Sequence, residues 1–212
     1  RMIMKYYKRC RIDNEKYFKL LVSELDSSEK TKENFKFCGQ VSEIMNFARM
    51  TLTEPIEKDL STMCDYYNLD YKSNVIKKVV QLLNKPIKTL SVIDFTDMIY
   101  LPCNDIRLID EQYDYVLLDE AQDLNNAQRL FVERLIKPGG RLIAVGDGKQ
   151  SIYSFSGSSI DSFEKLKERP NTITLPLSIS YRCSKAVVEC AREVYDSIEA
   201  YKDNEEGLVR VG

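Results

Sequence analysis

The sequence predicts an α/β fold in which a helical subdomain is followed by a parallel sheet. Three short apolar runs carry the sheet prediction, at 115–118, 141–145 and 172–175. The runs end abruptly at Asp119, at Gly146-Asp147 and at Pro176, and helical patterns lie between them. Short apolar strands that alternate with helices are typical of parallel sheets. We therefore expect ligands to bind beyond the carboxyl ends of these strands.

The first 88 residues predict helices alone. Apolar side chains recur at helical spacing over 14–25 and 40–52, and a third helix is expected to start at Pro55. Ser73 is the expected N-cap of a fourth helix, which Pro86 would end. Further helices are expected after residue 88, at 94–99, 125–136, 159–167 and 184–198.

The composition indicates a globular protein with one sizeable core. The chain has 212 residues, of which 43% are hydrophobic and 30% are charged. No apolar stretch approaches the roughly 20 residues that a membrane-spanning helix needs, so no membrane partner is expected. The net charge of −2 excludes a globally basic nucleic-acid binder. Residues 1–88 nevertheless hold 17 Lys and Arg against 12 Asp and Glu, which suits a basic arm beside an acidic catalytic module.

The six cysteines indicate buried, reduced thiols rather than a metal site. They are widely spaced, no CxxC pair occurs, and the chain has no histidine. Zinc sites need clustered Cys or His ligands. Reduced thiols are usual in the cytosol, so we expect a cytoplasmic protein.

An acidic motif, Asp119-Glu120-Ala121-Gln122-Asp123, directly follows the first apolar run. Adjacent carboxylates at a strand end are costly without a cationic partner. In a nucleotide hydrolase, the Asp can hold hydrated magnesium and the Glu can polarise the attacking water. A bare Asp-Glu pair is more often a solvated turn, but the neighbouring residues shift the balance toward the hydrolase.

Two further motifs follow the later apolar runs. In 145–157, the glycines permit a tight turn, Gln150 can hydrogen-bond a phosphate, and Tyr153 and Phe155 offer faces for base stacking. The same aromatics also suit a core. In 175–183, Arg182 can place a planar positive charge against a phosphate and Tyr181 can stack on a base. Taken alone, this Tyr-Arg pair is a weak signal.

Taken together, the three motifs resemble those of the UvrD/Rep family of superfamily 1 DNA helicases. The family has a DExxD-like motif II, a VGDxxQSIYxFxG-like motif III and an LxxxYR-like motif IV, which here read DEAQD, VGDGKQSIYSFSG and LPLSISYR. The resemblance implies a RecA-like P-loop NTPase sheet. It assigns 89–200 to a partial domain 1A and 201–212 to the start of domain 2A, whose first strand would be 208–211. Residues 1–88 are assigned to a helical, 1B-like subdomain on position alone.

The resemblance also implies ATP and Mg²⁺ as cofactors and a role for each motif residue. Asp119 would coordinate magnesium through water, and Glu120 would be the general base. Gln150 would contact the γ-phosphate and couple hydrolysis to the grip on DNA. Tyr181 would stack on adenine, and Arg182 would be an arginine finger.

For DNA, the resemblance places Tyr153 and Phe155 along the single-stranded path. The implied function is an ATP-dependent helicase that moves on single-stranded DNA, 3′ to 5′, and unwinds duplexes. Its partners would be single-stranded DNA, junctions of single-stranded and duplex DNA, and replication or repair proteins.

One element of the family is missing from the sequence. No phosphate-binding loop of the form G-x-x-x-x-G-K-[ST] occurs, because the single Gly-Lys pair, Gly148-Lys149, is followed by Gln150. Motifs V and VI are also absent. We therefore expect a central piece of a longer helicase, inactive alone.

Two alternatives stay open. In the first, the chain is a degenerate helicase-like module that binds nucleic acid or protein without hydrolysis. The presence of Asp119, Glu120, Gln150 and Arg182 together argues against this alternative. In the second, the longer protein is a helicase–nuclease of the RecB/AddA type, which nothing in these residues distinguishes from a simple helicase.

Overall fold

A computed structural model describes residues 10–85, 91–150 and 162–210. The chain divides into two compact units, residues 1–168 and residues 169–212. The elements of the first unit are β1 Arg11–Ile12, α1 Lys16–Ser23, α2 Lys32–Thr51, α3 Glu57–Tyr66, α4 Ser73–Leu83, β2 Val92–Ile93, α5 Phe95–Asn104, β3 Tyr113–Leu118, α6 Asn126–Arg134, β4 Ile136–Ala144 and α7 Ser162–Lys167. The elements of the second unit are β5 Ile179–Ser180, α8 Lys185–Arg192 and β6 Glu199–Ala200.

Helices α1 to α4 bury one apolar core. Each helix turns its apolar stripe inward, as the sequence spacing predicts. The fully or nearly buried members are Leu21, Cys38, Val41, Ile44, Met45, Ala48, Leu60, Met63, Cys64, Val75, Ile76, Val79 and Leu82. Thr31 caps the start of α2 by accepting the Asn34 N–H, and Leu52, the residue after its last turn, takes the left-handed conformation.

A short strand pair joins the start of the described chain to the segment after the helices. Strand β1 pairs in parallel with β2, so that Arg11 lies beside Val92 and Ile12 beside Ile93. The prediction of helices alone for the first 88 residues was therefore wrong at β1. A two-residue strand is too short to leave an alternating pattern in the sequence.

A buried ionic cluster fastens α2 to the start of α5. The Arg49 side chain is only 3% exposed, and its Nη1 lies 2.9 Å from Asp94 Oδ2 and 2.7 Å from Asp97 Oδ1. Asp94 is also the N-cap of α5 and accepts the Asp97 N–H. Lys16 of α1 forms an ion pair with Asp97, and the Tyr17 ring lies 4.7 Å from Arg49 Cζ. Two buried carboxylates are therefore offset by two cations.

Strands β3 and β4 form a parallel pair, which confirms the first two predicted strands. Their register sets Leu118 beside Ala144, with an irregularity near Tyr113. Strand β4 starts earlier than predicted. At Gly140 a Cβ would lie only 3.0 and 3.1 Å from the carbonyl oxygens of Tyr113 and Asp114, so the strands approach closely at a residue without a side chain.

The third predicted strand, 172–175, was wrong. These residues carry no strand, and a two-residue strand, β5, follows them and pairs in parallel with β6. Ile173 and Leu175 are 83% and 79% exposed. A strand needs a hydrogen-bonding neighbour, and no segment among the described residues pairs with this one.

Some predicted helix bounds also need correction. Ser73 is the first residue of α4 rather than its cap, which is Lys72. The last predicted helix ends at Arg192 rather than at residue 198, and 208–210 carry no strand. The predicted boundary at residue 88 and the predicted stop at Pro86 lie outside the described residues. The predicted three-part division of the chain stays a prediction.

The thiols follow the predicted pattern only in part. Cys38, Cys64 and Cys103 are buried, whereas Cys10 and Cys183 are half-buried and Cys190 is exposed. Burial raises the pKa of the Cys64 and Cys103 thiols to about 11, so both stay protonated near neutral pH. No helix within 10–85, 91–150 and 162–210 is long and apolar enough to cross a membrane.

Replacing Arg49 with Met should destabilise the chain by about 3–5 kcal/mol, because two carboxylates would then be buried with one cation fewer. The measurement is the free energy of unfolding from urea titration followed by circular dichroism. Arg107→Met is the matched control, because Arg107 is 85% exposed and pairs with Asp105 at the surface. Its expected change is below about 1 kcal/mol. Equal losses in the two variants would contradict a special role for the buried cluster.

The free energy of unfolding should fall as the pH rises above 10, and replacing Tyr17 with Phe should make that fall less steep. Burial raises the pKa of Tyr17 from 10.0 to about 12, although nearby Arg49 opposes the rise. A phenol whose folded-state pKa is raised stabilises fully below pH 10, and that contribution is lost as the pH rises toward 12. The wild type minus variant difference in unfolding free energy should therefore shrink over this window, by at most about 1.4 kcal/mol per pH unit. A constant difference from pH 9 to 12 would contradict the prediction.

Candidate functional site

The carboxyl ends of β3 and β4 bring the first two polar motifs to one sheet edge. The Val145 N–H donates to the Leu118 carbonyl at 2.8 Å, and the Ala121 N–H donates to the Val145 carbonyl at 3.0 Å. These bonds continue the strand pair past its last residues. Asp119 and Glu120 therefore lie at the same edge as Gly146 and Asp147, as parallel pairing predicts.

The turn after β3 has an unusual backbone. Glu120 takes the left-handed conformation, with a φ of 51°, and its N–H donates to Asp119 Oδ1 at 3.0 Å. Both side chains are exposed. The chain then enters a short 3-10 turn over Ala121–Asp123, in which Ala121 and Gln122 are buried. The reversal presents the two carboxylates at the surface and turns the next two residues inward.

A hydrogen-bonded chain joins the acidic motif to the motif after β4. Gln122 Nε2 donates to Glu120 Oε2 at 2.8 Å, and Gln122 Oε1 accepts the Asp147 N–H at 3.0 Å. The Asp147 carboxylate accepts Gln150 Nε2 at 2.8 Å and the Lys149 N–H at 3.0 Å. Glu120 and Gln150, predicted separately from two motifs, are thus connected through Gln122 and Asp147.

Sequence reasoning missed the part played by Gln122. Its residue type gave one usable signal: an amide two residues after Glu120 can reach back to that carboxylate. What the sequence did not predict was its burial, to 3% exposure, or its second contact with Asp147.

Helix α6 anchors the far side of the acidic motif. Asn125 is its N-cap and accepts the Gln128 N–H at 2.9 Å, while Gln128 Oε1 accepts the Asn125 N–H at 3.0 Å. This capping box satisfies two donors at the helix start. The Asn126 side chain also donates to the Thr51 carbonyl at 2.9 Å, which ties α6 to the end of α2. The turn that carries Glu120 is therefore held at both ends.

Two of the remaining predicted residues, Tyr181 and Arg182, are described by the structure. Both lie in the second unit, on the exposed turn between β5 and α8. The Tyr181 ring packs 4.6 Å from the Tyr201 ring, centroid to centroid. Asn204 Nδ2 holds the turn by donating to the carbonyls of Ser180 and Cys183. The predicted DNA-path residues Tyr153 and Phe155 lie outside the described residues.

The carboxylate oxygens at the sheet edge are suitable ligands for a hydrated magnesium ion. Within 10–85, 91–150 and 162–210, no group of three or more His, Cys, Asp or Glu side chains is arranged to hold a metal. Magnesium does not need such a cage, because it keeps several waters and binds proteins through one or two carboxylates together with substrate phosphates. The exposed carboxylate of Asp119 is one such group.

Comparison with known proteins shows to which class these features belong. The chain is 35% identical over 119 residues to the ATP-dependent DNA helicase Rep of Buchnera aphidicola, a match that covers 52% of this chain and 18% of that protein. It is 28% identical over 194 residues to the ATP-dependent DNA helicase PcrA of Staphylococcus aureus, covering 86% of this chain and 25% of that protein. The chain thus matches between about a fifth and a quarter of the length of these relatives.

The match to a family model fixes the assignment. The UvrD/REP helicase N-terminal domain family matches residues 3–171, which takes in β3, β4 and both motifs at the sheet edge. The chain therefore belongs to the UvrD/REP helicase N-terminal domain family. This confirms the resemblance inferred from the three motifs.

Proposed function

We propose that this chain forms the water-activating and phosphate-sensing part of the ATP site of a DNA helicase. The observation that carries the proposal is the hydrogen-bonded chain from Glu120 to Gln150. A base for hydrolysis and a phosphate sensor need a fixed geometry relative to each other. The hydrogen bonds through Gln122 and Asp147 supply that geometry. The parallel β3–β4 pair, with its polar edge at the carboxyl ends, supports a RecA-like sheet.

Each residue has a role in this proposal. Glu120 accepts the proton of the attacking water, and Gln150 donates its amide to the γ-phosphate. Asp119 would hold Mg²⁺ through water, and the bound ion would neutralise charge that develops on the phosphates. In the second unit, Tyr181 stacks on adenine and Arg182 supplies positive charge to the transferring phosphoryl group.

The proposed work of the longer protein is ATP-driven movement along single-stranded DNA and duplex unwinding. Its relatives are named ATP-dependent DNA helicases, and Tyr153 and Phe155 supply aromatic faces for the strand. We propose 3′ to 5′ movement, which unwinding assays on duplexes with 3′ or 5′ single-stranded tails test directly. Unwinding from the 5′ tail alone would contradict it.

One sequence feature favours a second candidate, a helicase-like module that binds nucleic acid without hydrolysis. The sequence lacks the phosphate-binding loop, and without that loop's backbone N–H groups and lysine the phosphates have no cradle. The hydrogen-bonded order around Glu120 favours the enzyme, because a pure binding module does not require a positioned base.

Glu120→Gln in the full-length protein that contains this chain should lower DNA-stimulated ATP hydrolysis by about 10²–10⁴-fold, the usual contribution of a general base. The measurement is phosphate release with Mg²⁺, with and without single-stranded DNA. Glu133→Gln is the matched control, because Glu133 pairs with Arg129 and lies near the end of α6, the helix that follows the motif. Hydrolysis that survives Glu120→Gln would overturn the assignment of the base. A wild-type protein that binds DNA but never hydrolyses ATP would favour the binding module.

The 212-residue chain by itself should show ATP hydrolysis no faster than the Glu120→Gln full-length protein. The phosphate-binding loop, which would supply backbone N–H groups and a lysine to the phosphates, is not in its sequence. The same phosphate-release assay checks this, with the full-length protein as the positive reference. Robust magnesium-dependent turnover by the chain alone would show that its own residues suffice.

A further inference from the structure

Both ends of the Gln122 side-chain amide are engaged in a buried position. The residue is 3% exposed. Its Nε2 donates to Glu120 Oε2 at 2.8 Å, and its Oε1 accepts the Asp147 N–H at 3.0 Å. A buried amide with partners of opposite kind at its two ends has one favourable orientation. The Glu120 carboxylate therefore meets a fixed donor on an otherwise exposed turn.

The amide is confined by the backbone beside it. A Cβ added to Gly146 would lie 2.5 Å from Gln122 Oε1 and 3.0 Å from the Ala121 nitrogen. The Gln122 side chain thus occupies the space that any larger residue at 146 would need. Contact between the two motifs depends on this close packing.

The contact continues to the residue proposed to sense the phosphate. The Asp147 backbone N–H binds Gln122, while the Asp147 carboxylate accepts the Gln150 side chain at 2.8 Å. A displacement of Gln150 would therefore be transmitted to Asp147 through their hydrogen bond. From Asp147 it would reach the Gln122 amide, which is hydrogen-bonded to Glu120. The path has three hydrogen bonds and runs through two intervening residues.

We propose that Gln122 is a positioning residue that orients the Glu120 carboxylate and links it to the movement of Gln150. This inference rests on the proposed function, because it assigns Gln122 a role in the same hydrolysis. The amide donor restrains rotation of the carboxylate about its last torsion and so aims the proton-accepting group at water. A base misplaced by about 1 Å can lose about 10²-fold in rate.

Gln122→Glu in the full-length protein separates positioning from structural support. The new carboxylate still accepts the Asp147 N–H, but when ionised it cannot donate to Glu120 and repels it. We expect kcat for DNA-stimulated ATP hydrolysis to fall about 10- to 100-fold at pH 8, while KM for ATP changes less than about twofold. A residue that only supports the turn would leave kcat near the wild-type value.

Gln122→Asn supplies a second signature. Its side chain keeps the amide but is one methylene shorter, so it cannot reach Glu120 and the Asp147 N–H together as Gln122 does. We expect kcat to fall while KM for ATP changes less than about twofold.

Gln128→Glu is the matched control. Gln128 lies six residues further along and its Oε1 only accepts the Asn125 N–H, which a carboxylate also accepts. It should retain wild-type kcat. Thermal unfolding and the affinity for a fluorescent oligothymidine report the folding of every variant. If Gln122→Glu does not fold, the split between kcat and KM in Gln122→Asn decides the matter.

The outcomes separate this inference from the proposed function. An inactive wild type, or an active Glu120→Gln variant, would overturn the proposed function itself. An active wild type with an inactive Glu120→Gln variant, combined with wild-type kcat in folded Gln122→Glu and Gln122→Asn, would overturn the positioning role alone.

Discussion

The buried pairing of Arg49 with Asp94 and Asp97 is the constraint on which the first unit depends. Burial alone would lower the pKa of the Arg49 guanidinium, but Asp94, Tyr17 and Asp97 together raise it above its ordinary value. The arginine therefore stays charged inside the protein. Since Asp94 also caps α5, one cluster sets both the charge balance of the interior and the place where α5 starts. Helix α2 and the α/β part that follows are held in one arrangement by it.

In the candidate site, too, a buried polar side chain connects two parts of the chain, but here that side chain is the neutral amide of Gln122. Its exposed carboxylates stand on a turn fixed by the α6 capping box on one side and by the β3–β4 ladder on the other. Between them, the Gln122 amide converts backbone proximity into a specific side-chain contact. A buried amide can do this without the desolvation cost of a buried charge, because it carries no net charge.

Much of the fold and part of the site followed from the sequence. The periodicity of 14–25 and 40–52 predicted α1 and α2, and the apolar runs before Asp119 and Gly146 predicted β3 and β4. The predictions that failed depended on distant partners. Strand β1 exists only through pairing with β2, some eighty residues away, and 172–175 has apolar residues but no pairing neighbour among the described residues. Local pattern reports which residues prefer to be buried, and it does not report what lies beside them.

The site shows the same division. Asp119, Glu120 and Gln150 could be selected as candidates because their motifs, taken together with the third one, resemble those of one helicase family. Gln122 could not be assigned its proposed role in that way, because that role depends on a contact with Asp147, which follows the end of another strand.

The left-handed backbone at Glu120 sets chemistry against stability. A residue with a Cβ pays about 1–2 kcal/mol to adopt this conformation, asparagine less because its side chain can hydrogen-bond locally, and glycine nothing. A search for more stable versions of this protein would therefore favour glycine or asparagine at this position, and would remove the carboxylate. Screens that select on thermal stability alone should therefore enrich variants that lack the proposed base, so such screens need a parallel assay of ATP hydrolysis.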